Sequence, residues 1–142
     1  MGKKINIKNL PTGYHSLITN GRHAIVGDEP TNSKGTDLGF SPEDLILSSI
    51  AMCKVATVRY IARKNNWTIG EVDGEFELNV KRGEGGKLTS NVTAKIKIEG
   101  DLTAEQKAEL LKQADACYVH RMIEGEWNIE NTQELITEAV TA

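Results

Sequence analysis

Ser41-Pro-Glu-Asp-Leu-Ile-Leu-Ser-Ser-Ile-Ala-Met-Cys-Lys-Val-Ala-Thr-Val-Arg-Tyr-Ile-Ala-Arg-Lys64 is the stretch that decides the fold. Ser41 reads as an N-cap, Pro42 suits the first helical position, and Glu43 and Asp44 fall in the positive first turn. Leu45, Leu47, Ile50, Ala51, Val55, Val58 and Ile61 carry an apolar helix towards Lys64-Asn-Asn66. Its middle is apolar almost all the way round, and a helix of that kind needs cover on several sides. It is expected to be the buried centre of the molecule.

The chain before this helix reads as strands. Ile5 and Ile7 alternate with polar neighbours, and the apolar runs Tyr14–Ile18 and His23–Val26 flank Thr19-Asn-Gly21. An Asn-Gly pair between apolar runs is a strong hairpin signal, so the first 28 residues are expected to form an antiparallel meander with Arg22 just past a turn. Thr31 to Asp37 is polar and carries a glycine, hence a loop.

After the helix, Glu71–Val80 and Leu88–Ile98 alternate with period two around Gly83-Glu-Gly-Gly86, which predicts a long hairpin with one wet face. Thr103 and Gln106 form a capping box opening a second helix through Leu110 and Leu111 towards Cys117. Trp127-Asn-Ile129 is expected as an edge strand, and the tail from Thr132 reads equally as a short helix or a frayed strand. The expected class is α+β.

At 142 residues, 39% hydrophobic and 26% charged, the chain suits one domain, 1–142, with its own core. A net charge of −3 and a pI near 5.6 lack the concentrated basic surface of a nucleic-acid binder, and Lys3-Lys4 and Lys95-x-Lys97 read as solvated strand faces. No apolar leader opens the sequence, and no apolar run is expected to reach the length needed to span a bilayer. Asn6 stands where a myristoylation signal after Met1-Gly2 wants Ser or Thr. A cytoplasmic protein is the simplest expectation. The Asn66-Trp-Thr68 and Asn91-Val-Thr93 sequons are then chance matches.

The chemistry rests on two cysteines, Cys53 inside the apolar helix and Cys117 in Ala116-Cys-Tyr-Val-His120, 64 positions later. Such a pair reads either as redox chemistry or as two buried small hydrophobes. His120, three residues past Cys117, could ligate a metal with it. Two cysteines and three scattered histidines support a four-ligand zinc site only thinly, and a hydrogen-bonded structural role is the commoner fate of such a histidine. His15 and His23 carry no signal of their own.

Gly21-Arg-His23 with Asp28-Glu-Pro30, then Gly39-Phe-Ser-Pro-Glu43 leading into Ala51-Met-Cys53, then Gly100-Asp-Leu-Thr103 and Ala114-Asp-Ala-Cys-Tyr-Val-His120, follow one another in an order that resembles the OsmC/Ohr family of thiol-dependent hydroperoxide peroxidases. The Cys-x-Val-His stretch resembles the OsmC-like branch more than Ohr proper. Tyr118 departs from the pattern, which often has proline directly after the second cysteine. The resemblance implies antiparallel sheets packed on long central helices in an intertwined homodimer. It also implies reduction of organic hydroperoxides, Cys53 as the peroxidatic and Cys117 as the resolving residue, a dithiol reductant such as a dihydrolipoyl group, and no dissociable cofactor. Arg22 would favour the thiolate and bind the peroxide oxygen, with the Glu43 carboxylate holding its planar fork. Taken singly, Arg22 reads more readily as a surface arginine beside a turn and Glu43 as a helix-start residue than as catalytic groups, and the order of the motifs is what favours the functional reading. The alternative function is a non-enzymatic homodimer of the same fold, with structural cysteines, binding a small apolar ligand or a partner.

Helix geometry adds a point of its own. Ten residues separate Glu43 from Cys53, about 15 Å along a continuous helix, too far for both to serve one site from the same chain. A shared site requires Glu43 from a second subunit whose equivalent helix runs antiparallel. The two-fold axis then crosses near Ser48 and Ser49, residues small enough for close approach.

Overall fold

The computed structural model describes residues 2–136. Three short strands, β1 (Asn6–Asn9), β2 (Ser16–Thr19) and β3 (Ala24–Gly27), form an antiparallel sheet in sequence order. The Asn20-Gly21 turn joins β2 to β3, with Gly21 at φ 96° and the Asn20 side-chain oxygen accepting from the amides of Arg22 and His23. Ile7, Ile18 and Ile25 stand in one cross-strand row, so the expected meander is present.

Helix α1 (Pro42–Lys64) then runs unbroken for 23 residues. Ser41 caps it as expected and forms a full capping box with Asp44, whose carboxylate accepts from the Ser41 amide. Asn66, at φ 57°, ends the run in the left-handed region that asparagine tolerates. By length and composition α1 is apolar enough to cross a membrane, contrary to the reading that no run reaches that length. It serves instead as the central helix, packed against the elements that follow it.

Those elements are the hairpin β4 (Val72–Arg82) and β5 (Leu88–Ile98), then α2 (Ala104–Ala114) and a short α3 (Tyr118–Glu124). The hairpin is two-faced as expected. Val72 pairs with Ile98, Phe76 with Ala94 and Leu78 with Val92 on one side, while Asp73 opposes Lys97 and Glu75 opposes Lys95 on the other. The core lies where α1, α2 and the hairpin meet: Val58, Ala62, Ile98, Leu110 and Ala114 are buried, with Trp67, Ile69 and Leu102 packed on them.

Three expectations are corrected. Cys117 does not continue the second helix, because α2 stops at Ala114 and Cys117 is the N-cap of α3. Residues 126–136 form no strand, so Trp127–Ile129 adds none to either sheet, and the part of the tail beyond 136 lies outside the described residues. Within one chain α1 is buried only along the stripe Ile50, Lys54, Val58 and Ala62, and Ile46, Met52 and Tyr60 stay more than half exposed. A helix apolar on several sides has been given cover on one.

The segment between β3 and α1 is built on Asp28. Its buried carboxylate accepts from the amides of Glu29, Thr36 and Leu38 and from the Thr36 hydroxyl. The loop folds so tightly that a Cβ on Gly35 would lie 1.9 Å from the Glu29 carbonyl oxygen, and one on Gly39 2.1 Å from that of Val26. The Asp28 amide then donates to the Phe40 carbonyl, seating the start of α1 beside β3.

The Thr36 hydroxyl first, then the three amides, lower the Asp28 carboxyl from 3.8 to about 2, against an opposing effect of burial. A carboxyl depressed in the folded state stabilises the protein fully above its unfolded value, and that contribution is lost as pH falls through about 2. Asp28→Asn is therefore expected to lower the melting temperature at neutral pH and to flatten the acid limb of unfolding between about pH 4 and pH 2. Thermal melts across that window check it, and an unchanged acid limb would remove Asp28 from this role.

Candidate active site

Cys53 sits on the middle of α1 and is half-buried; Cys117, in the corner between α2 and α3, is 1% exposed. Both are reduced and they are neighbours. α2 ends at Ala114, so the chain turns at Asp115-Ala116 and delivers Cys117 back against α1. The first turn of α3 then lies over both sulfurs, the Val119 amide donating to Cys53 Sγ at 3.3 Å and the His120 amide to Cys117 Sγ at 3.4 Å. Burial above all pushes the Cys117 thiol up, and the adjoining Cys53 sulfur pushes the same way, while the His120 amide and the charge of Lys54 oppose them. A half-open sulfur beside a buried one is an asymmetric pair.

Lys54 is the residue that sequence reasoning missed. It is 5% exposed, and its ammonium lies 2.8 Å from His120 Nδ1, 3.3 Å from Asp115 Oδ1 and 3.4 Å from the Ala114 carbonyl. His120 Nε2 lies 3.0 Å from Glu124 Oε1, so His120 is hydrogen-bonded on both ring nitrogens. With Lys54 donating to Nδ1, the ring proton belongs on Nε2. The available signal was spacing: Lys54 stands four residues from Ile50 and from Val58, on the stripe that the helix buries. A lysine there needs partners, because a buried charge is costly without them.

The other two expected site residues are elsewhere in the chain. Arg22 is exposed at the β2–β3 turn, and Glu43 is exposed in the first turn of α1. Because α1 is continuous, about 15 Å of helix separates Glu43 from Cys53. Among the described residues one acidic cluster, Glu71, Asp73 and Glu99, could gather round a cation; all three are exposed, and none of them is among the residues bonded to the two sulfurs.

Fold and site together define an α+β protein built round one long helix that brings two reduced cysteines side by side. Residues 35–131 match the family model of OsmC-like proteins, and the chain belongs to that family. No curated protein matches the sequence. Solved structures share the fold at low identity. A putative osmotic stress induced and detoxification response protein from Psychrobacter arcticus superposes with a TM-score of 0.73 at 18% identity, covering 86% of this chain and 89% of that one. An organic hydroperoxide resistance protein OsmC from Legionella pneumophila gives 0.68 at 19%, covering 88% and 90%. The organic hydroperoxide resistance protein OhrB of Bacillus subtilis gives 0.66 at 20%, covering 88% and 92%.

Proposed function

We propose that the protein is a thiol peroxidase that reduces organic hydroperoxides, Cys53 taking the oxygen and Cys117 closing a disulfide. The observation that carries this reading is the asymmetric pair: Cys53 half-open and Cys117 buried beside it under the α3 amides. The Cys53 thiolate attacks the distal peroxide oxygen, the O–O bond breaks, and the alkoxide leaves as alcohol after protonation. Cys117 displaces hydroxide from the sulfenic acid, water forms, and the disulfide is reopened by exchange with a dithiol, a dihydrolipoyl group being the reductant that the family resemblance implies. The detoxification and hydroperoxide-resistance descriptions of proteins sharing the fold support the same assignment. Phe40, Met52, Tyr60 and Tyr118, all more than half exposed, supply apolar surface that favours an alkyl hydroperoxide over hydrogen peroxide. Two cysteines used for reversible disulfide chemistry suit a reducing, cytoplasmic setting.

The working unit in this proposal is a homodimer. Ile46, Met52 and Tyr60 on α1 and Ile7, Leu17 and Ile25 on the N-terminal sheet are exposed apolar residues that a second copy would cover. In the dimer Arg22 and Glu43 reach the partner's Cys53, the guanidinium beside sulfur and peroxide and the carboxylate orienting the guanidinium.

The deciding experiment is a thiol titration after one equivalent of cumene hydroperoxide. Loss of both thiols together, with an intramolecular disulfide by mass, is expected; two inert thiols would leave the ligand-binding homodimer as the function. Arg22→Met is expected to slow peroxide attack by at least about tenfold and to raise the pH at which Cys53 becomes alkylatable, since a cation favouring thiolate is gone. Unchanged rate and alkylation profile would remove Arg22 from the site.

A further inference from the structure

Disulfide closure poses a problem that the pair alone does not solve. Cys117 must act as the nucleophile in the second step, yet it is 1% exposed and burial pushes its thiol up. A buried thiol with no counter-charge is a slow nucleophile, and a slow second step leaves Cys53 as a sulfenic acid open to over-oxidation.

We propose that Lys54 is the positioning residue of the resolving step, its ammonium pinning the α2–α3 corner to α1 and placing a positive charge beside Cys117. This inference rests on the peroxidase reading. Lys54 follows Cys53 directly and is tied to the carbonyl of Ala114, the carboxylate of Asp115 and the ring of His120, residues on both sides of Cys117 in the chain. One side chain thus reaches across some 60 residues of sequence to hold the segment that must close on its neighbour. Glu124 holds the opposite edge of the His120 ring, so the ammonium sits in a bonded frame. A surface lysine near the site would serve neither purpose: water would screen its charge, and its stem would be free to rotate.

The ionisable groups around the two sulfurs can be named by element. α1 contributes Lys54, the end of α2 Asp115, and α3 His120 and Glu124. β5 faces the adjoining cavity of about 390 Å³ with Ser90, Val92 and Ala94, none of which titrates. Lys54 is the lysine in this set, and its pairing with Asp115 reaches a side chain that is 76% exposed. The Asp115 charge is therefore screened by water on its outer side, while the ammonium is not. In the step itself the Cys117 sulfur bonds to the Cys53 sulfur, the S–O bond breaks, and the displaced hydroxide takes a proton to leave as water. The electron pair comes from Cys117, so a cation that favours its thiolate speeds this step.

The test separates the two steps. Wild type and Lys54→Met are mixed with one equivalent of cumene hydroperoxide, quenched at intervals with dimedone, and resolved by mass into sulfenic-acid adduct and disulfide across pH 5 to 9. Lys54→Met is expected to lose the Cys53 thiol but to close the disulfide at least tenfold more slowly at pH 7, with the closure profile moved to higher pH. Lys54→Arg, which keeps the charge, is expected to restore most of the rate and the wild-type profile. Should Lys54→Met not fold, Lys54→Gln keeps an amide donor for the Ala114 carbonyl and must show the same shift. A second measurement needs no peroxide: in a Cys53→Ser background, removing the Lys54 charge should raise the pH at which Cys117 is alkylated by iodoacetamide. Unchanged closure and alkylation profiles overturn the proposal, and so does equal slowing in the Met and Arg variants, which would assign Lys54 to packing. If wild type itself forms no disulfide, the peroxidase reading fails first and the Lys54 role falls with it.

Discussion

Cys53→Ser is expected to bring hydroperoxide consumption down to the uncatalysed rate, because a serine hydroxyl is neither acidic nor nucleophilic enough to attack an O–O bond. Cys117→Ser is expected to behave differently. One equivalent of hydroperoxide is consumed, Cys53 remains as a dimedone-trappable sulfenic acid, and multiple turnover stops. The burial of the two sulfurs sets this order, since the half-open Cys53 can meet a substrate that the 1% exposed Cys117 cannot. Stopped-flow consumption assays with mass spectrometry of the quenched protein read both outcomes. If Cys117→Ser fails its first turnover while Cys53→Ser retains single-turnover reactivity, the roles are reversed.

Two dead variants are expected to regain activity when mixed. Glu43→Ala and Cys53→Ser, unfolded and refolded together, form mixed dimers in which one site combines the intact Cys53 of one chain with the intact Glu43 of the other. With random reassortment about half the dimers are mixed and each carries one good site of two, so recovery approaches about a quarter of wild type. The expectation follows from the unbroken α1, which keeps Glu43 about 15 Å of helix away from its own Cys53. The test requires Glu43→Ala to be severely impaired alone and reassortment to be verified by native mass. Reassorted dimers with no regained activity would mean that Glu43 has no catalytic part, since the continuous helix denies it a place in its own chain's site.

Much of the architecture was legible because it is set by neighbours in sequence. Ser41 marks the start of α1 through bonds to Asp44 three residues on, with Pro42 pre-set for the first helical position, Thr103 and Gln106 do the same for α2 by their own capping bonds, and Asn20-Gly21 sets the β2–β3 hairpin through its backbone preference. The period-two alternation in Glu71–Ile98 marked both strands of the long hairpin and its wet face. Trp127–Ile129 misled for the same reason: three residues of strand-like composition say nothing about whether a partner strand has a free edge. The Asp28 knot went unread because its partners lie one to ten residues away in a loop without periodicity. In the site, both cysteines were found by residue type and motif order, and Lys54 was passed over because the apolar residues around it drew the eye to the stripe rather than to its exception.

What the sequence by itself determined is therefore where α1 and α2 begin, the strands of the two hairpins, and the family to which 35–131 conforms. Short-range hydrogen bonds, capping and hydrophobic periodicity write those features into adjacent residues. Only the tertiary structure decided that α2 stops short of Cys117, that the chain turns there to set Cys117 against Cys53, and that Lys54 is buried against Ala114, Asp115 and His120. Those contacts close loops of about sixty residues, and such closure leaves no local signature. It is decided by which apolar faces can be buried together, here the stripe of α1 against α2 and the hairpin, and the chemistry of the two thiols follows from where that packing leaves them.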